Sequence, residues 1–397
     1  MSAATSVAPP PSSVESSFHR PCWVEISAEA LRSNWRTLKS KLTKDVQMLA
    51  VVKANAYGLG LLNASRIAVD EGAAYLGVSS VEEGIALRDA GFSIPILILG
   101  SLYPFESFSL LFQYHLTPTI ASLDAAEVLH RMATEKNQRL PVHLKIDSGF
   151  GRIGVSIPTA ADFIEQVAKK SGLLVEGIYT HFASSDIDED YTRAQAQAFL
   201  AVVKAVGDLP VGRQVRPQWI HMANSSALLR FPETHGTMVR PGLAFYGVPP
   251  YPLAQNVVAL SPALTWKSRV IFLKMVPEGS CISYARTWIA KRPTRVATLA
   301  VGYADGLPRL LSNKGQVLIG GKRLPILGRV TMDMTMVDVT DLQAGGQACR
   351  IGDEVVLIGR QGAEEITASE MADWAQTNAY EILCGIGARV PRVMAHG

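Results

Sequence analysis

Cysteine is scarce. Four residues, Cys22, Cys281, Cys349 and Cys384, are spread through 397 positions with no CxxC spacing. That argues against a disulfide framework or a cysteine-based zinc site and fits reduced thiols in a cytoplasmic protein. An excess of either charge is also missing: 38 Lys and Arg face 35 Asp and Glu, a formal +3 at pH 7. With no long basic run interleaved with aromatics, nucleic acid is a poor match as partner. Apolar runs such as 94–99 are short, and none nears the roughly 20 residues needed to span a bilayer. Residues 1–21 have no basic start followed by an apolar run, so they do not read as a secretory signal. Rich in Ser and Ala and holding Pro9-Pro10-Pro11, they read as a disordered extension. What the chain does have is apolar mass. It is 48% hydrophobic and 18% charged, enough for two or three domains, or for one large barrel plus something smaller.

From Trp23 onward the pattern is regular. Ser27 can cap a helix whose Leu31, Trp35, Leu38 and Leu42 share one face. Apolar runs then recur at 46–53, 75–78, 94–99, 116–120, 142–146, 174–179, 218–221 and 238–246. Helix-sized intervals separate them, among them 81–90, 123–136 and 159–170; Ser80 and Glu83 stand at capping-box spacing. Near-continuous apolar strands alternating with helices predict a parallel sheet buried on both faces. Eight units within 22–250 predict a (β/α)8 TIM-type barrel. A doubly wound sheet is the rival, but no GxGxxG turn opens the first unit. After Pro249-Pro250 the pattern changes. Runs at 263–276, 294–303, 315–319, 331–339 and 354–358, rich in Val and Ile, predict a mostly β C-terminal domain over 251–397 with one helix at 367–376. The strand at 23–26 precedes the barrel and is free to pair with that second domain.

Barrel chemistry gathers at the C-terminal ends of strands. Here those ends carry Lys53 and Tyr57, then Lys145, Asp147 and Arg152, then His181, then Asn224 and Ser225, while Arg240 and Gly242 lie inside the eighth run. Each has a bland reading alone: a solvated strand end, a hydrogen-bonded core imidazole, a helix cap. Together they place a lysine, two arginines, a histidine and a small-residue anion nest on one rim. That set suits pyridoxal 5'-phosphate. Lys53 would supply the amine for a Schiff base, its pKa lowered by burial and nearby cations. Ser225, backbone N–H groups near Gly242 and the Tyr57 hydroxyl would hold the phosphate. No ligand spacing suggests a metal.

The motifs V-V-K-A-N-A-Y-G, K-I-D-S-G-F-G-R-I-G, Y-T-H-F-A, H-M-A-N-S, M-V-R-P-G-L, S-Y-A-R-T, V-G-Y-A-D-G, G-R-V-T-M-D and N-A-Y-E occur in this order. Together they resemble the bacterial alanine racemases over about 24–395. The resemblance implies interconversion of L- and D-alanine, supplying D-alanine for peptidoglycan. Lys53 and Tyr284 match the two catalytic bases. Arg152, with Lys145 and Asp147, matches the group that orients substrate, and Lys145 a position carbamylated in many relatives. His181 matches the imidazole linking Tyr284 toward Arg240, and Arg240 the donor to the pyridine nitrogen. Tyr57, Asn224, Ser225, Gly242, Leu243 and Tyr380 match cofactor-holding positions. Met332, with Asp333 beside it, matches the main-chain contact to the substrate carboxylate. Tyr303, Asp186, Arg309 and Arg329 match residues lining the entrance. A homodimer is implied in which Tyr284 and Met332 reach the partner's barrel. Two departures stand out: Ala285 where many relatives have glycine, and Phe150 where methionine is frequent.

The chemistry accounts for these residue types. Racemisation takes a proton from one face of Cα and returns one to the other, so two flanking bases need not move. A phenol, with its ordinary pKa about 10, is a feeble base and needs a cationic network such as His181 and Arg240. Arginine stays protonated and does not hand its proton to the ring nitrogen, which limits electron withdrawal and discourages transamination and decarboxylation. Decarboxylases of basic amino acids on the same scaffold would carry an acid there, so Arg240 argues against them. Single-domain barrel proteins that hold the cofactor without turnover lack the β domain and Tyr284. A racemase preferring serine or another amino acid is the remaining alternative, because one hydroxyl or methylene changes discrimination only modestly.

Overall fold

The computed structural model describes residues 19–210, 215–344 and 348–395. Most of the expected disordered extension, 1–18, lies outside the described residues. The chain divides into two compact units. One holds Ala30–Ala56 and Gly60–Ser261; the other holds the chain up to Glu29, the short stretch Tyr57–Leu59, and the chain from Pro262.

After β1 (Cys22–Ile26) come β2 (Gln47–Val51), β3 (Tyr75–Val78), β4 (Ile96–Ile98), β5 (Thr117–Ile120), β6 (Leu140–Asp147), the short β7 (Val155–Ser156), β8 (Leu173–Tyr179), β9 (Trp219–His221) and β10 (Met238–Val239). Strands β2 to β6 and β8 to β10 pair in parallel in the order β10-β2-β3-β4-β5-β6-β8-β9, with β7 on β6. Two bonds bridge the last seam: Thr237 N–H donates to Ile220 O and Arg240 N–H to Ala223 O, both at 2.9 Å. The result is the expected barrel, near-closed. Its first four strands are almost wholly buried because helices cover the outer face, among them Val81–Asp89, Leu123–Glu135, Ile157–Ala168 and Glu189–Gly207. Residues up to Ser261 stay with this unit: the Asn34 amide donates to Ser261 O and accepts from Ser261 N–H, both at 2.8 Å.

The eighth run differs from expectation. Its strand stops at Val239, because Pro241 has no N–H for a ladder and the chain then tightens into turns, Phe245 N–H to Gly242 O at 2.9 Å and Tyr246 N–H to Leu243 O at 3.1 Å. Arg240 therefore follows the strand end rather than lying mid-strand, and joins the C-terminal rim with the other polar residues.

The second unit is built on β11 (Leu264–Val276). Strand β1 runs antiparallel along its first half, Cys22 opposite Ser268 and Ile26 opposite Leu264; Thr294–Leu299 runs along its second. The sheet continues through Thr335–Asp338, Lys322–Leu327, Gln316–Ile319 and Glu354–Gln361, and the last pairs back onto β11. Val276, Ile282, Val296 and Leu327 fill part of its core. The expected helix is Ala368–Ala375, capped by Thr367, which accepts from Glu370 N–H at 3.0 Å. A second helix, Ala379–Gly385, was not expected, although Asn378 and Glu381 stand at cap spacing and Asn378 accepts from Glu381 N–H at 3.0 Å.

Candidate active site

Lys53 follows β2 and opens an unusual turn. Ala54, Asn55, Ala56 and Tyr57 all adopt left-handed backbone, with φ of 53°, 53°, 54° and 54°. Each such residue costs about 1–2 kcal/mol when it carries a Cβ, so surrounding bonds must hold the turn. They do: Ala56 N–H donates to Val52 O at 2.7 Å and Gly60 N–H to Asn55 O at 2.9 Å. Leu61 N–H reaches Asn55 Oδ1 at 2.8 Å, and Ala54 N–H reaches Glu83 Oε1 at 2.6 Å. Glu83 thus does only half of the expected capping box. Ser80 caps its helix by accepting from Glu83 N–H, but the Glu83 carboxylate turns to Ala54 and to Ser79 N–H at 2.8 Å. Tyr57, at the end of the turn, stands with its ring 5.6 Å from that of Tyr380, and burial pushes its hydroxyl far above the ordinary phenol range.

The end of β6 supplies Lys145, Asp147 and Arg152. Burial works to raise the Asp147 carboxyl, but N–H donors from Gly149, Gly151 and Phe150, at 2.8–2.9 Å, outweigh it and hold the group below the usual range. Lys145 is buried, with its amine 4.8 Å from the Tyr179 ring centre. Burial, and then the charge of Arg240, bring its pKa down to about 6. The Arg152 guanidinium lies over the Phe150 ring at 4.3 Å.

Arg240 is the most constrained cation. It is 4% exposed, and burial lowers it to about 10. Nη2 donates to Thr180 O at 2.8 Å, Met222 O at 3.1 Å and His181 Nδ1 at 3.2 Å; Nη1 donates to His221 Nδ1 at 3.0 Å. Burial holds His181 well below its ordinary pKa, and Arg240, Lys145, Arg152 and Lys53 reinforce that as neighbouring charges. Arg240 and Arg152, with the amines of Lys53 and Lys145, therefore bear on one neutral imidazole, and the two arginines favour an anionic guest.

Asn224 caps the short helix Ser225–Arg230, its Oδ1 accepting from Ala227 N–H at 2.9 Å and from the Ser185 hydroxyl at 3.0 Å. The Ser225 hydroxyl oxygen accepts from Gly242 N–H at 2.9 Å and Ala244 N–H at 3.2 Å. Both its lone pairs are engaged, so its proton points elsewhere. Leu243, between Gly242 and Ala244, is buried, and Asp186 is exposed. The first unit thus gathers Lys53, Lys145, Arg152, His181, Asn224, Ser225, Arg240, Gly242 and Leu243 on strand ends and the loops after them.

The second unit carries the rest. Tyr284 is 72% exposed, in a turn where Ser283, Ala285 and Arg286 have φ of 66°, 58° and 51°. Position 285 is left-handed, a conformation glycine adopts at least cost, so Ala285 stands where a glycine would relieve strain. The Ser283 hydroxyl donates to Arg329 O at 2.6 Å, bringing Arg329 beside this turn. Met332 is also exposed, and its loop is tightly held. Tyr303 N–H donates to Thr331 O at 2.9 Å and Ala304 N–H to Met332 O at 3.0 Å. A Cβ on Gly302 would lie 2.4 Å from Met332 O, so only glycine admits this approach. Asp305, fully buried, pairs with Arg20 and Arg389, each at 2.7 Å; Arg389 also reaches Asp333 at 2.8 Å and Arg20 donates to Asp333 O at 2.9 Å. Arg309 and Tyr380 are exposed. Glu83 and Asp305 escape sequence reasoning as site supports, because a helix start and a turn explain them locally. Among the described residues no cluster of three or more His, Cys, Asp or Glu suits a metal ion.

The model of the alanine racemase N-terminal domain matches residues 26–250, and that of the C-terminal domain matches 263–394. The chain belongs to the alanine racemase family. It is 44% identical to the alanine racemase of Halothermothrix orenii over 374 residues, 94% of this chain and 96% of that one. It is 45% identical to that of Symbiobacterium thermophilum over 377 residues, 94% and 97% of the two chains. Among solved alanine racemases, that of Clostridium difficile 630 superposes with a TM-score of 0.88 at 33% identity, covering 95% of this chain and 96% of that one. The Bartonella henselae alanine racemase with covalently bound pyridoxal phosphate gives a TM-score of 0.84 at 27% identity over 94% and 99% of the two chains.

Proposed function

We propose that this protein carries pyridoxal 5'-phosphate on Lys53 and uses it to interconvert L- and D-alanine, with D-alanine destined for peptidoglycan. The observation that supports the cofactor reading is that Arg240, Arg152 and the amines of Lys53 and Lys145 all bear on His181: a phosphorylated, electron-poor aldehyde suits both the arginine charges and the Lys53 amine. When bound, the cofactor supplies the carbonyl that takes up the amino group and the ring that acidifies the Cα hydrogen.

The protein supplies the rest. Ser225 and Tyr57 hydroxyls, with Asn224, Gly242, Leu243 and Tyr380, hold the phosphate end. Arg240 donates to the ring nitrogen and stays charged, since even at about 10 its pKa is well above neutrality. Arg152, backed by Lys145 and Asp147, orients the substrate, and the Met332 main chain meets its carboxylate, with Asp333 alongside. The Lys53 amine exchanges a proton with one face of Cα and the Tyr284 oxygen with the other. Tyr303, Asp186, Arg309 and Arg329 line the approach. The exposure of Tyr284 and Met332 supports a homodimer in which each subunit lends them to its partner's barrel. Four dispersed cysteines, none in a disulfide, support a cytoplasmic location, and no helix among the described residues is long and apolar enough to cross a membrane.

Incubating the purified protein with L-alanine and measuring D-alanine tests the reading. Turnover is expected with alanine in preference to serine. Lys53→Ala should abolish it, and borohydride should trap the cofactor at residue 53 of the parent. Tyr284→Phe should impair proton removal from one alanine enantiomer more than from the other; equal, small effects in both directions would remove the two-base assignment.

A further inference from the structure

The partners of Arg240 described above are carbonyls and imidazoles, none of them an anion. A buried arginine so placed calls for charge compensation farther off. Following its bonds inward leads to one. Arginine can only donate, so His221 accepts on Nδ1. Burial holds both His221 and His143 neutral, so His221 carries its proton on Nε2. That atom is 2.9 Å from His143 Nδ1, which must accept, leaving the His143 proton on Nε2. His143 Nε2 faces Glu176 Oε2 at 3.7 Å, and the Tyr75 hydroxyl donates to the same carboxylate oxygen.

The direction of each hydrogen bond is therefore fixed from Arg240 as far as His143, whose buried Nε2 has no hydrogen-bond partner and meets Glu176 as an electrostatic contact at 3.7 Å. The line crosses the barrel interior from β10 through β9 and β6 to β8 and β3. It has been given room: a Cβ on Gly177 would lie 2.4 Å from His143 Nδ1. It is also clamped, with the Tyr179 ring stacked on His221 at 4.6 Å and 7°.

We propose that Glu176 is a remote positioning residue for the racemase reaction: its charge, facing the unpartnered Nε2 of His143 at 3.7 Å, favours the proton there and so the tautomers of His143 and His221, and it sets the net charge felt at Arg240 and the electron demand at the cofactor ring nitrogen. This rests on the reading that Arg240 faces that nitrogen. Neutralising Glu176 leaves the charge of Arg240 uncompensated in a low-dielectric barrel. The ring then draws more electron density from the reacting centre. The side reaction that gains is transamination, in which alanine leaves as pyruvate and its amino group stays behind as pyridoxamine phosphate.

Two measurements decide. Nitrogen NMR on histidine-labelled protein without cofactor should find both His143 and His221 protonated on Nε2. Glu176→Gln should then shift the absorption of the Lys53-bound cofactor and raise pyruvate per D-alanine by about three- to tenfold, with KM little changed; Glu176→Asp, which keeps the charge, should restore most of the parent ratio. Glu176→Ala, a second variant without the charge, serves if the glutamine variant does not fold, and should move the ratio the same way. A proton on Nδ1 of either histidine, or a folded variant with unchanged absorption and pyruvate ratio, overturns the proposal. Borohydride trapping at Lys53 of the parent separates the two failures: with trapping intact only the line to Glu176 is wrong, whereas without it the cofactor reading falls and takes this inference with it.

Discussion

Lys145 shows how a single side chain can store a pH dependence. Its pKa is about 6 in the fold against an ordinary 10.5. Between those values the unfolded chain holds a proton that the folded chain lacks, so this group makes stability rise with pH across that window. Below about pH 6 both states are protonated and the penalty is at its largest. Lys145→Met should abolish this slope. In buffer free of carbon dioxide, the melting temperature of the variant should exceed the parent's most near pH 6, and the gap should close toward pH 10. Residue identities at the site were open to reading from sequence, because lysine, histidine and arginine after apolar runs are conspicuous. Their supports were not. Glu176 and His143 look like ordinary strand residues until β6, β8 and β9 are laid side by side, and only then does the alignment of ring nitrogens become visible.

Among the elements, the turn at 54–57 is the least expected. Nothing in Lys-Ala-Asn-Ala-Tyr announces four left-handed residues without glycine; local preference opposes the shape, and tertiary bonds impose it. Glu83 is the one charged group among those bonds. Glu83→Ala should cost about 0.5–1.5 kcal/mol, the net worth of a hydrogen bond to an exposed N–H that water can reach, and should slow borohydride trapping at Lys53 more than Glu83→Gln does. Equilibrium unfolding and trapping rates on the same preparations check both effects. The strands themselves were legible from runs of Val, Ile and Leu, and the capped helix Ala368–Ala375 from Thr367 and Glu370. The eighth strand was over-read, since apolar residues continue to Tyr246 while Pro241 has already ended the ladder. Apolarity reports burial, and burial does not require a strand.

For the whole molecule, the question is where Tyr284 does its work. A phenol 72% exposed is poorly placed to act on a sequestered substrate within its own unit, and the proposed two-fold homodimer would offer it a second barrel. Mixing inactive Lys53→Ala with impaired Tyr284→Phe subunits, after subtracting the residual activity of the latter, tests this. Random pairing gives heterodimers half of the time, each with one site free of either change, so activity should recover to about a quarter of the parent. No recovery after subunit exchange, verified by sedimentation, would place both bases in one chain.

Arg20 is bonded to Asp305 and to the carbonyl of Asp333, one residue from Met332, so it latches the loop proposed to meet the carboxylate of alanine. Trimming the chain ahead of Arg20 spares that latch; trimming through it loosens the doorstep, and the damage will surface as weaker grip on substrate while the barrel stays whole.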